Sequence, residues 1–206
     1  MSMTARPIVV KLGGSLLGWQ GLPGALGSYL DGLKPAKAVL IVGGGKAADF
    51  LRELDSVHGI GEKRSHGLAL RMLDVTAHLV AAVVPGVEVA EGTEELERVW
   101  NRGFVPALAP RRLLEDLDRD REKVDLRPEC WDVTSDSIAA LAAVWIGASS
   151  LKLLKSTGFR GRCGRAEASR RGLVDPYFPT ASRTLDRVTV INLRADPPTT
   201  AELDAD

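Results

Sequence analysis

Two apolar runs that each end in glycines constrain this chain more than any other feature. Ile8-Val9-Val10 leads into Lys11-Leu12-Gly13-Gly14-Ser15, and Val39-Leu40-Ile41-Val42 leads into Gly43-Gly44-Gly45-Lys46. Short apolar runs bounded by glycine read as buried strands. Glycine after a strand lets bare backbone N–H groups approach an anion, and a following helix N-terminus adds partial positive charge. Phosphate is the natural occupant of such a turn. Further on, Trp131-Asp132-Val133-Thr134-Ser135-Asp136 precedes an alanine-rich helix, and Leu151-Lys152-Leu153-Leu154-Lys155 forms another strand. Lysines with an organising carboxylate suit a phosphoryl group in transfer, where charge spreads over its oxygens.

The elements alternate. A helix over Leu22–Leu33 closes before Pro35, a second spans Lys46–Val57, and a long one runs Ser65–Val84 until Pro85-Gly86 stops it. A strand at Val87–Ala90, a helix at Glu94–Asn101, a strand at Val105–Ala109, a helix at Ser137–Ile146 and strands at Leu151–Lys155 and Arg187–Leu193 complete the pattern. That rhythm signals an α/β fold with a mainly parallel central sheet. The mixed charge run from Glu115 to Lys123 reads as a solvated helix end or loop, Ser156 to Asp186 as an irregular ligand-facing segment with six arginines, and the tail after Ala195 as frayed.

Composition excludes several classes. Lysine plus arginine equal aspartate plus glutamate at 27 each, so no global charge excess points to nucleic acid or an acidic membrane. Cys130 and Cys163 are the only cysteines, and no histidine cluster has ligand spacing, which argues against structural zinc, a dedicated metal cage or a disulfide scaffold. Arginines around Cys163 favour a lowered thiol pKa, but no base accompanies them. No apolar run approaches a membrane span, and residues 1–6 lack a secretory pattern, so a cytoplasmic chain of one domain over 1–206 is expected.

Common nucleotide motifs fail. Gly43, Gly45 and Ala48 fit Gly-x-Gly-x-x-Ala formally, yet the stretch after that helix, His58-Gly59-Ile60-Gly61-Glu62-Lys63, lacks the second strand and ribose carboxylate of a dinucleotide site. The Walker loop fails because Ala47 follows Lys46 where Ser or Thr is needed.

Four ordered stretches, Val10–Ser15, Val42–Gly45, Thr134–Asp136 with its helix, and Leu151–Gly158, make the chain resemble the amino acid kinase superfamily over nearly its whole length. The resemblance implies an αβα sandwich and an ATP- and Mg2+-dependent phosphotransferase that acts on a small-molecule acceptor and forms homo-oligomers. It implies an acceptor-side part over about 1–130 and a nucleotide-side part over about 131–195. Lys11 and Lys155 then neutralise the moving group, with Asp136 orienting both. Gly13, Gly14, Ser15, Gly43, Gly44, Gly45, Lys152, Ser156, Thr157 and Gly158 attend the phosphates. His66, Arg71, Asp74, Thr134 and Ser135 meet the acceptor. Ser65–Asp74, Pro110–Leu114 and Trp131–Ala140 are similar to the small kinases of methanofuran biosynthesis, which phosphorylate an aminomethylfuran methyl phosphate. Uridylate, isopentenyl phosphate and acylamino-acid kinases stay open as alternatives, as does a regulatory nucleotide-binding protein without turnover.

Overall fold

The computed structural model describes residues 6–119 and 128–206. Residues 1–5, where the lack of a secretory pattern was read, and 120–123 of the charge run lie outside that description.

β1 (Ile8–Leu12), α1 (Leu22–Asp31), β2 (Ala38–Val42), α2 (Lys46–His58) and α3 (Glu62–Val83) come first. β3 (Val87–Ala90), α4 (Leu96–Asn101), β4 (Val105–Leu108) and α5 (Pro110–Arg119) follow, then α6 (Ser135–Trp145) and β5 (Ser150–Lys155). The last third holds β6 (Arg162–Gly164), α7 (Arg165–Arg170), α8 (Phe178–Ala181), β7 (Val188–Asn192) and β8 (Thr199–Asp204). The strands form one eight-stranded sheet in the order β3-β4-β2-β1-β5-β7-β8-β6. Among the described strands only the β7–β8 pairing is antiparallel.

Side chains that alternate across the strands feed two cores, one on each face of the sheet. Val9, Val39, Ile41, Leu151, Leu153 and Val190 pack with α5, α6 and α8. Val10, Leu12, Leu40, Val42, Leu154 and Ile191 pack with Leu22, Leu26 and Leu30 of α1 and with Ala77 and Val80 of α3. The fourfold spacing on α1 is one helical stripe, and Pro23 sits in the first turn, where its missing N–H costs nothing. In α6 every residue from Asp136 to Ala143 is buried. Its alanines let the helix lie close on β1 and β5.

Several boundaries differ from expectation. Residues 156–186 are ordered into β6, α7 and α8 rather than irregular, and the stretch after Ala195 forms β8, whose Ala201 and Leu203 point into the core. α3 begins at Glu62, so His66 lies inside the helix rather than at its start. The run from Glu115 to Arg119 ends α5, which Pro110 opens.

Candidate active site

β1 and β5 are neighbours, with Lys11 paired to Leu153 in register. Lys155, two residues further along, therefore shares a face with Lys11 at the carboxyl ends of adjacent strands. Such ends, where connections leave the sheet on opposite sides, are where open α/β sheets bind ligands. Asp136, on the first turn of α6, reaches both: Lys11 Nζ lies 2.8 Å from its Oδ1, and Lys155 Nζ donates to its Oδ2 at 2.6 Å. Burial opposes ionisation of Asp136, but the charges and hydrogen bonds of the two ammonium groups hold it below the usual carboxylate range. Lys155 is pushed below the ordinary lysine value by burial and by Lys11, against the pull of Asp136 and Asp175. Lys11 and Lys155 share one carboxylate directly, with Asp175 acting on Lys155 from further off, so an arriving anion meets two adjacent ammonium groups.

The two glycine turns interlock beside this cluster. A Cβ on Gly45 would stand 2.6 Å from the Gly14 carbonyl oxygen, and one on Gly43 would stand 2.8 Å from the Gly14 nitrogen and 2.9 Å from Ser135 Oγ. Gly45 also has φ of 53°, a left-handed value that side chains resist. The N–H of Gly13 donates to Leu154 O at 2.8 Å and that of Gly43 to Leu12 O at 2.9 Å, so these two extend the strands and do not offer donors to a phosphate. Gly14, Gly44 and Gly45 line the adjoining cavity, and the Ser15 hydroxyl meets that of Ser156 at 2.9 Å.

That cavity, of about 250 Å3, runs between α2, α3 and the start of α6. Leu70, Leu73, Val133 and Ile138 give it an apolar wall, and His66, Thr134 and Ser135 also line it. His66 is buried and its Nδ1 donates to the Cys130 carbonyl at 3.2 Å. Arg71 and Asp74 do not reach the cavity. Arg71 lines a separate groove toward α5, and Asp74 accepts from the backbone N–H and Nε of Arg111, both at 3.2 Å. Burial, partly offset by Arg111, raises the Asp74 pKa. Asp49, Arg52 and Trp131 line the cavity instead. Arg52 stacks over the Trp131 ring at 4.8 Å and pairs with Asp49 at 3.1 Å, while the indole N–H donates to Asp55 at 2.9 Å. Spacing from the second glycine turn, one and two helical turns on, is the signal that would have found Asp49 and Arg52.

Lys152 points away. It alternates with Lys155 onto the opposite face of the sheet, where burial and the nearby Arg187 charge lower its pKa. Thr157 is exposed, and a Cβ on Gly158 would meet Asn192 Cβ at 3.0 Å. The arginines of the following segment are mostly engaged: Arg162 with Glu202 and Asp204, Arg170 with Glu167, and buried Arg165 with the carbonyls of Ser182 and Leu185. Burial raises the Cys163 thiol pKa, against the expectation from its arginine neighbours. Among the described residues no group of three or more His, Cys, Asp or Glu is arranged to hold a metal ion, and no helix is long and apolar enough to cross a membrane.

Thr134 occupies the N-cap position of α6 without a side-chain cap bond. The cap comes from Asp175, which accepts from the backbone N–H and hydroxyl of both Thr134 and Ser137.

Residues 6–158 match the family model described as the amino acid kinase family. Over 132 residues the chain is 29% identical to the (5-(aminomethyl)furan-3-yl)methyl phosphate kinase of Methanocaldococcus jannaschii, a match covering 64% of this chain and 57% of that relative. The chain thus aligns with little more than half of that relative's length. The fold matches UMP kinase from Ureaplasma parvum with a TM-score of 0.67 at 13% identity, over 98% of this chain and 100% of that one. For UMP kinase from Bacillus anthracis the TM-score is 0.69 at 14% identity, over 98% and 96%. Aspartate kinase from Synechocystis gives 0.65 at 16%, over 97% of this chain and 40% of that one. At these identities the structural likeness is one of fold.

Proposed function

Because the chain belongs to the amino acid kinase family, we propose that it is an ATP-dependent kinase that transfers the γ-phosphoryl group to the phosphate of an aminomethylfuran methyl phosphate in methanofuran biosynthesis. The observation that carries the phosphoryl-transfer reading is Asp136 held between Lys11 and Lys155 beside the interlocked glycine turns. The relative from Methanocaldococcus jannaschii supports the choice of acceptor.

An oxygen of the acceptor phosphate attacks the γ-phosphorus, the bond from that phosphorus to the bridging oxygen breaks, and ADP leaves with the electron pair. Lys11 and Lys155 take up the charge spread over the transferring oxygens, and Asp136 keeps both ammonium groups in place. The acceptor phosphate is already ionised at neutral pH, so no proton has to be abstracted. This suits Asp136, an ionised carboxylate with both oxygens engaged by lysines. The paired ammonium groups fit a polyphosphate. Magnesium bound to the nucleotide would spread its phosphate charge, leaving Lys11 and Lys155 to meet the transferring oxygens. Ser15, Ser156, Thr157 and Gly158 lie on the nucleotide side. Gly14, Gly44, Gly45 and Ser135 face the acceptor phosphate, a flat ring packs on Leu73, Ile138 and Trp131, and Asp49 and Arg52 select its polar groups.

Labelled ATP with a panel of acceptors tests this. Transfer to the aminomethylfuran phosphate in preference to UMP, isopentenyl phosphate or N-acetylglutamate is expected. Preference for one of the others overturns the acceptor, and tight ATP binding without transfer to any overturns the enzyme.

The partner in an oligomer is a second copy meeting α2 and α3. Among the described residues the large exposed apolar side chains are Phe50 and Val57 on α2 and Leu68, Val75, Leu79 and Val83 on α3. With Met72 the α3 positions form a stripe that reads nearly alike in both directions from Val75, as an antiparallel self-contact requires.

A further inference from the structure

We infer that Asp175 is a positioning residue for phosphoryl transfer: it caps α6 from outside the helix and so holds Asp136 at the place where both lysines reach it. The inference rests on the kinase reading for its kinetic consequence and on geometry alone for its structural one.

Helix N-termini leave backbone N–H groups that a local Ser, Thr, Asp or Asn ordinarily satisfies. Here Thr134 stands at the N-cap and its hydroxyl has the reach to accept from Ser137 N–H. It instead donates to Asp175 Oδ2 at 2.7 Å. The Ser137 N–H also goes to Asp175 Oδ2, at 3.0 Å, and so does the Thr134 N–H, at 3.1 Å. The Ser137 hydroxyl donates to Asp175 Oδ1. A carboxylate 38 residues downstream thus replaces a cap available on the spot. A local cap by Thr134 would by itself satisfy the Ser137 N–H, so capping that group does not require the distant residue.

What the distant cap adds is a fixed position. The residues it grips, Thr134 and Ser137, flank Asp136, so sliding or turning of the first helical turn would break charge-assisted bonds on both sides. Asp175 is itself buried at 7% exposure, and Ser169 Oγ donates to its backbone carbonyl at 3.2 Å. The first turn of α6 is therefore registered against the segment between α7 and α8, rather than floating on its own caps. The groups around Lys155 are Lys11 on β1, Asp136 on α6 and Asp175, whose negative charge raises the lysine's proton affinity.

Asp175→Asn tests this. The isosteric amide presents an NH2 to donors and removes the charge. Expected are a loss of roughly 100-fold in kcat, the scale of a small misplacement of a reacting group, with KM for ATP and acceptor nearly unchanged, and an alkaline limb of kcat/KM at lower pH than in the parent. Ser137→Ala, which removes one hydroxyl and keeps the carboxylate, is expected to move kcat the same way by less, and covers a poorly folding Asn variant. A lower melting temperature with unchanged kcat overturns the inference, because a purely structural cap predicts that outcome. NMR titration of the lysine ammonium groups in the free protein reads the same geometry without turnover. A changed Lys155 titration in Ser137→Ala, where the Asp175 charge is intact, would in a protein that transfers no phosphoryl group retain the positioning role and reject the kinase reading. Identical titrations in the parent and Ser137→Ala would reject the positioning role.

Discussion

A methyl group on Gly14 would stand 2.5 Å from the Cα of Gly45 on the neighbouring turn. Neither side of that contact is a flexible side chain, so the backbone itself must give. Gly14→Ala is expected to destabilise the fold by about 3 kcal/mol, the upper end for overpacking. Gly67, exposed within α3 with nothing near its missing Cβ, offers the opposite sign: Gly67→Ala should stabilise by ~1 kcal/mol. Urea melts of both variants check the pair, and similar midpoints would show that the turns are not interlocked.

Lys11→Ala and Lys155→Ala should each remove ~2.7–4 kcal/mol of transition-state stabilisation, seen as a fall in kcat with little change in ATP affinity. Steady-state kinetics beside a nucleotide titration separates the two. A change confined to KM would mean that the lysines serve binding alone.

The charge cluster sets two pH limits. Lys155 sits below the ordinary 10.5, so in the free enzyme it loses its proton early as pH rises, and the alkaline limb of kcat/KM falls below that value. Asp136 is held below the ordinary 3.8 that it regains on unfolding. Its contribution to stability is therefore complete above that pH and is lost as pH falls through the folded value. Acid denaturation of the parent should be steeper below pH 3.8 than that of Asp136→Asn.

Acceptor recognition separates Arg52 from Arg71. Arg52→Ala should raise the acceptor KM by roughly 1.5–3 kcal/mol, the range for hydrogen bonds to a charged group, and leave the ATP constant alone. Arg71→Ala should change neither, since its side chain lines the outer groove. Kinetics with saturating ATP decides, and a larger effect at Arg71 would move the acceptor to that groove.

If the proposed self-contact across α3 forms, Leu79→Asp should convert that dimer into a monomer while the isolated fold persists, because Leu79 is 47% exposed and takes no part in either core. Sedimentation velocity of variant and parent gives the answer. An unchanged sedimentation coefficient would place the contact elsewhere.

The sequence carried Lys11, Asp136 and Lys155 because each lies in a short motif whose strand or helix can be read locally. Lys152 resisted the same treatment until strand alternation was fixed by the register with Val10 and Thr189. Asp74 faces Arg111 because α3 and α5 pack together, a tertiary event with no mark in either segment alone. β8 was hidden by Pro197 and Pro198, which announce a turn and mask the buried Ala201 and Leu203 that follow. Asp175 was invisible for a different reason: its partners are 38 and 41 positions away, and nothing in Val174-Asp175-Pro176 points back to them.

Among the described strands β6 pairs with β8 alone, which itself lies between β6 and β7. During synthesis, residues 162–164 must therefore leave the ribosome, wait through α7, α8 and β7, and receive their neighbour only when residues 199–204 emerge. Asp206 then closes the assembly by accepting the N–H of Ala166 at the start of α7, at 2.8 Å. A tag or truncation that displaces this stretch takes away a middle plank rather than a fringe, and the nascent chain carries an open sheet edge until those residues arrive.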